Sequence, residues 1–178
     1  MHSRTRSLLP LLFCLLAIPF AVAGKPPADD AKRIKSEIAQ MMALFEKGDA
    51  QALLDLTHES AYVLVGGNKE AFDKAMKQAA EQVFRSGIKF LSSEIGDPTE
   101  IHSAGKYEVC FVPRISVLEY QGKKIKSTGF LIAARTAGQR DWKYLDGAAL
   151  RQNPGLLNKL FPDLAPDVPL PPNNRELL

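Results

Sequence analysis

The apolar residues of the first half of the chain recur with a helical period. Ile34, Ile38, Met41, Met42 and Phe45 form one stripe, which predicts a helix from about Ala31. Asp29 and Asp30 sit at its start, where the helix dipole favours negative charge. Gly48 is a natural stop, and Asp49 a natural cap for a second helix through Leu53, Leu54 and Leu56. Ala61 to Val65 is rich in β-formers and ends at Gly66-Gly67, which predicts a short strand. Asn68 then caps a third helix, with Phe72, Met76, Ala80, Val83 and Phe84 on its apolar face and Gly87 as its end.

After Gly87 the period changes to two. Ile88 to Ile95 reads as one strand and Tyr107 to Tyr120 as a long one. Pro113 interrupts the long strand and predicts an edge position or a bulge. Gln121-Gly122 is a hairpin turn, Lys124 to Arg135 the return strand, and Asp141 to Asp146 a last strand. Leu150 to Phe161 adds a terminal helix with Pro154 in its first turn. Five prolines follow between 162 and 172, so residues 162–178 are expected to form an irregular tail, and 24–30, with Pro26 and Pro27, a flexible leader. Helices segregated before a mostly antiparallel sheet define an α+β class: N-terminal helices packed on a curved sheet, in one domain.

The N-terminus changes the picture of where this fold works. Arg4 and Arg6 precede an apolar run, Leu8 to Phe20, and Ala21-Val22-Ala23 offers a small-x-small cleavage site. Residues 1–23 therefore read as a secretory signal peptide, and the mature protein is expected in the periplasm or outside the cell. Cys14 follows Phe13, where a lipid-anchoring motif wants a small residue. The full chain of 178 residues carries a formal charge of +3 and is 46% hydrophobic, which suits one globular domain. Removing residues 1–23 takes away two arginines and no acidic residue, leaving a charge near +1. That is too little for a nucleic-acid binder driven by charge. One cysteine, Cys110, remains, and it reads as a small buried hydrophobe.

The order helix, helix, strand, helix, then four strands resembles the nuclear-transport-factor-two-like superfamily, the α+β cone shared by ketosteroid isomerase and polyketide cyclases. The resemblance covers about residues 31–149, within a domain placed at 31–161. It rests on that order, on Gly66-Gly67 leading into the third helix, and on the closing Asp141-Trp142-Lys143-Tyr144-Leu145-Asp146-Gly147, similar to the superfamily's aromatic-rich last strand. It implies a cone with an internal cavity. It implies no activity, because this fold hosts enzymes, binding modules and assembly domains alike. In ketosteroid isomerase-like members a carboxylate and a hydrogen-bonding Tyr or Asp meet deep in the cone, and no matching motif is present here.

Catalytic motifs are not found elsewhere either. His58-Glu59 begins like a zinc-protease motif, but Tyr62 stands where the second His belongs. His58 and His102, without a carboxylate or thiol cluster, make no metal site, and no cofactor is expected. Lys123, Lys124 and Lys126 flank a turn and read as a solvated face.

The candidate pocket residues are His58, Tyr62, Arg114, Tyr120, Trp142 and Tyr144, with His58 near the mouth. His58 equally suits the dipole at the end of the second helix, the aromatic residues suit core, and Arg114 an exposed edge. Turned inward, Arg114 would anchor an acidic group and would need a partner or water. Asp146 is either a cavity carboxylate or a turn residue before Gly147. Two function classes follow. The first is a secreted, non-catalytic module for a small amphipathic ligand or a partner protein. The second is a small cofactor-free enzyme, an isomerase, cyclase or dehydratase, acting on an apolar molecule. The long strands are apolar on both faces, so both need cover. A second copy docked on the sheet would supply one cover and make a homodimer; the Pro-rich tail folded back would supply it otherwise.

Overall fold

The structure, a computed structural model, describes residues 24–178. The expected signal peptide and Cys14 lie outside them. Three helices come first: α1 (Ala28–Glu46), α2 (Ala50–Asp55) and α3 (Lys69–Arg85). The strands β1 (Lys89–Ile95), β2 (His102–Ala104), β3 (Tyr107–Tyr120), β4 (Lys123–Thr136) and β5 (Lys143–Asp146) follow. A short helix α4 (Leu156–Leu160) and a last strand β6 (Asn174–Leu177) complete one α+β domain. The sheet is antiparallel in the order β1-β3-β4-β5, with β2 added to β3 and β6 to β4.

The β3–β4 register runs unbroken from Tyr107↔Thr136 to Tyr120↔Lys123. Pro113 therefore introduces no bulge, and the one irregularity lies in β1, between Phe90 and Ser92. Pro113 falls where β3 changes neighbour from β1 to β2. The Phe111 N–H, on the same side of the strand, is taken by Thr99 Oγ1 at 2.9 Å rather than by a strand. A residue without an N–H costs no ladder bond at such a place.

An unbroken period of two sorts the long strands into two cores. Cys110, Val112, Leu131 and Ala133 pack under Ile34, Ile38, Met41 and Met42 of α1. Val109, Phe111, Phe130 and Ile132 face the other way and pack under Leu150, Leu157, Leu160, Phe161 and Leu164. The C-terminal segment thus supplies the second cover from within the chain. Beyond it, the same face carries the ion pairs Lys126–Glu176 and Lys89–Glu119.

Four expectations are corrected. Residues Glu59–Val65 form a 3₁₀ helix, not a strand. His58 caps its start, Gly66 ends it at φ +71, and Val63 and Leu64 face solvent with no strand beside them. Local capping and the lack of a sheet neighbour outweigh β propensity here. The helix expected over 150–161 is split into a 3₁₀ turn, Gly147–Arg151, and α4, because Pro154 keeps Asn153 out of helical geometry. The tail is not wholly irregular. Pro172 is its last proline, so Asn174–Leu177 has N–H groups to offer, and it pairs with the part of β4 that β5 does not reach. The leader is tied down as well: Pro26 is buried and Gly24 accepts the Ile101 N–H at 2.9 Å.

Candidate functional site

α3 packs chiefly against α2 and the 3₁₀ helix rather than flat on the sheet. A void of about 470 Å³ remains between the helices and the sheet, within the range of small-molecule sites. Met41, Met42 and Phe45 of α1 and Phe72, Met76 and Val83 of α3 form its walls. Leu118 and Leu131 form the floor. Phe45 packs tilted against Phe84 and edge-on to Phe90, at ring separations of 5.2 and 5.9 Å, and so links α1, α3 and β1 at one side.

One end of this cavity is charged, and the register explains how. On the cavity face of β4, Ser127, Gly129 and Leu131 stand in a row. Their cross-strand partners are Arg175 of β6, Arg114 of β3 and Asp146 of β5. Arg114 points inward, is 14% exposed at its side chain, and lies 3.2 Å from Asp146. Its Nη1 also donates to the Met42 sulfur at 3.5 Å. Asp146 has a second task, accepting the Ala148 N–H at 2.7 Å to cap the 3₁₀ turn. Both readings of Asp146, cavity carboxylate and turn residue, thus describe one side chain.

Gly129 leaves room for groups from the C-terminal segment. A Cβ there would lie 3.6 Å from Asn173 Oδ1 and 3.9 Å from Arg151 Nη2. Asn173 is held by its own amide, which donates to Gly147 O at 2.9 Å, and its carbonyl accepts from Arg151 Nε at 3.2 Å. Burial and the nearby charge of Arg175 disfavour the protonated form of Arg151; Asp146 opposes this and Arg114 adds to it. Among the described residues that line the cavity, Asp146 is the one carboxylate.

The six candidates are placed in four different settings. Arg114 and Tyr144 line the cavity. The Tyr144 hydroxyl donates to Glu37 Oε2 at 2.6 Å, and burial followed by that hydrogen bond pushes its pKa far up. Trp142 does not reach the cavity: it is 1% exposed, packed in the α1 core, with the Arg135 guanidinium 4.3 Å above its ring. Tyr120 is exposed at the hairpin end, its hydroxyl near Gln121 Nε2 at 3.2 Å. Tyr62 packs edge-on to Phe72 and lines a second, polar cleft with His58.

His58 is neither at the cavity mouth nor a cation on the α2 dipole. It caps the next helix, its Nδ1 accepting the Ser60 N–H at 3.2 Å. Its ring sits edge-on to Tyr107 at 4.7 Å. Burial lowers its pKa to about 4, against a smaller upward pull from Glu59. An imidazole that must accept a hydrogen bond is neutral, which suits a cap and not a dipole partner.

In the polar cleft, about 460 Å³, most charged groups are already engaged within the protein. Glu59 accepts from Tyr107 and from Lys106, Lys69 pairs with Asp73, and Lys143 donates to Asp55 O. Arg135 is held by Asp30 at 2.8 Å and Glu108 at 2.6 Å. Cys110 is fully buried, and desolvation pushes its thiol up to about 12, as a buried hydrophobe requires. Among the described residues, no group of three or more His, Cys, Asp or Glu is placed to hold a metal ion. Among them also, no helix is long and apolar enough to cross a membrane.

Comparison with protein-family models, with curated proteins and with solved structures finds no match to this chain. Sequence reasoning missed Arg151, Arg175 and Asn173. Their only signal was two arginines in a segment read as terminal helix and tail, and their meeting with Arg114 depends on a strand pairing that no local pattern announces.

Proposed function

We propose that this protein is a non-catalytic binding module of the nuclear-transport-factor-two-like kind. In this reading it works outside the cytoplasm after cleavage near Ala23, and its cavity takes a small amphipathic ligand. One observation carries the reading: an open, apolar-walled space of about 470 Å³ whose two acid-base candidates, Asp146 and Tyr144, are already engaged in the structure. Asp146 is paired and capping, and the Tyr144 hydroxyl is committed to Glu37. A general acid or base would need a carboxylate set free in an apolar wall. The second reading, a cofactor-free isomerase, cyclase or dehydratase, draws on that Tyr144–Glu37 pair at the cavity wall.

The expected result is that a neutral naphthylamine dye gains fluorescence with the parent protein. Leu118→Trp, which fills the cavity from its floor, should abolish the gain while far-UV circular dichroism stays unchanged. Equal dye binding by both folded proteins would remove the cavity as the site.

Secretion and pairing through the sheet belong to the same reading. Because the C-terminal segment covers most of the sheet's second face, a second copy would have only the strip around Ile115, 38% exposed, beside the Lys126–Glu176 pair. Intact mass from a secreting host should correspond to a chain starting at Gly24, and light scattering at micromolar concentration should give twice that mass. A retained 1–23 segment rejects the first, and a monomer mass the second.

A further inference from the structure

We infer that the cavity binds a single-chain anionic amphiphile, its acidic head held between Arg114, Arg151 and Arg175 and its apolar chain lying between α1 and α3. This inference rests on the cavity reading above and adds the head chemistry. Three guanidinium groups converge on the Gly129 row of β4, and one carboxylate, Asp146, answers them. Asp146 is 53% exposed at its side chain and is shared with the Ala148 N–H, so it neutralises Arg114 only in part. Arg151 uses its Nε on the Asn173 carbonyl, and its Nη2, 3.9 Å from where a Gly129 Cβ would lie, is left to meet a head group. Arginine forks suit planar carboxylates and phosphate-type heads, and bind them more strongly where water is partly excluded. The rest of the cavity is methionine, phenylalanine, leucine and valine, which suits a flexible alkyl chain. Gly129 leaves this end of the cavity open. A side chain longer than alanine there would compete with Arg151 and Asn173 for this space.

Two of the three arginines come from the C-terminal segment, and Arg175 sits on β6, an exposed edge strand. The head group therefore bridges the sheet to that strand, and a bound ligand should slow hydrogen exchange along Asn174–Leu177.

The test displaces the neutral dye with dodecanoic acid, dodecyl phosphate and dodecanol, the two acids below their micelle-forming concentrations and the alcohol below its solubility. The acid or the phosphate is expected to displace it at a concentration about tenfold lower than dodecanol, and the better of the two names the head. Arg175→Gln should weaken that anion about five- to tenfold, leaving dodecanol and the melting temperature unchanged. Arg151→Gln should weaken it by a similar factor relative to dodecanol, with some loss of stability because it also gives up the hydrogen bond to the Asn173 carbonyl. Raising salt should weaken the anions and not the alcohol. Equal displacement by all three leaves the cavity reading standing and overturns the arginine role. Dye binding that Leu118→Trp abolishes but no amphiphile displaces overturns the inference alone. A dye that never binds removes the cavity reading, and this inference with it.

Discussion

Replacing Trp142 with alanine is expected to cost about 3–5 kcal/mol of stability while leaving ligand binding intact wherever the variant is folded. The side chain is 1% exposed and packs with Ile34, Ile38, Val112 and Leu131, so truncation opens a cavity in the α1 core. It also removes the ring beneath Arg135. That guanidinium is itself partly buried between Asp30 and Glu108, and it ties the start of α1 to the β3–β4 pair. Losing its aromatic neighbour exposes part of this ionic cluster to a void, which adds to the packing loss. Trp142→Phe should cost clearly less. The indole N–H finds no hydrogen-bond partner among the described residues, so removing it relieves an unpaired buried donor. Urea unfolding at neutral pH measures both, and dye titration below the transition checks the site. A loss under about 1 kcal/mol for the alanine variant would mean that Trp142 is not packed in the core.

Where this fold was legible in the sequence, a single side of an element decided the pattern. The α1 stripe was visible because Ile34, Ile38, Met41 and Met42 all bury against one sheet face. The β3–β4 hairpin was visible because Gln121 and Gly122 take positive φ values of 51 and 73 in a two-residue turn, which a glycine announces. The parity through Pro113 is decided by the unbroken β3–β4 register. That both faces of the two long strands are apolar was legible in the sequence, and with it the need for two covers. What supplies the second cover was not, since the docking of the C-terminal segment is a long-range event. Residues 61–65 misled because a continuous apolar run carries no period, and the caps at His58 and Gly66 decide its form. β6 was invisible because Asn-Asn-Arg-Glu-Leu has little strand propensity; the open edge of β4 beyond β5 recruits it.

The candidate site divided along the same line. Arg114 and Tyr144 both face the cavity, the direction of Arg114 following from a β3–β4 register that Pro113 does not break. Trp142 stands just before β5, so counting from the strand did not fix its direction. The requirement that an inward Arg114 find a partner is met by Asp146, two neighbouring strands away across β4. Arg151 and Arg175 needed the tertiary fold to reach the same place.

Acid should weaken this protein earlier than its carboxylates alone would require, and His58 is the reason. Its side chain is buried, its Nδ1 accepts the Ser60 N–H, and Ser60 Oγ lies 2.9 Å from the same nitrogen. A proton on Nδ1 would remove that acceptor and place a charge against the rings of Tyr107 and Phe161. Burial, the largest cause, therefore holds the folded pKa at about 4, with Glu59 pulling it up and Lys106 pushing it down. In the unfolded chain the imidazole titrates near 6.5. Between those values the unfolded state binds more protons than the folded one. The contribution is complete above pH 6.5 and is lost as pH falls toward 4, by up to about 3 kcal/mol. Protonating Glu59 and the other carboxylates adds its own loss lower on the scale, and that loss would be present with or without His58. His58→Asn separates the two, because an asparagine oxygen can still accept from Ser60 N but does not titrate. The stability of the parent relative to His58→Asn, from urea unfolding at pH 7, 5.5 and 4.5, should fall steadily with pH. A constant difference would show that the folded protein accommodates the imidazolium and that the cap at the start of Glu59–Val65 does not depend on a neutral ring.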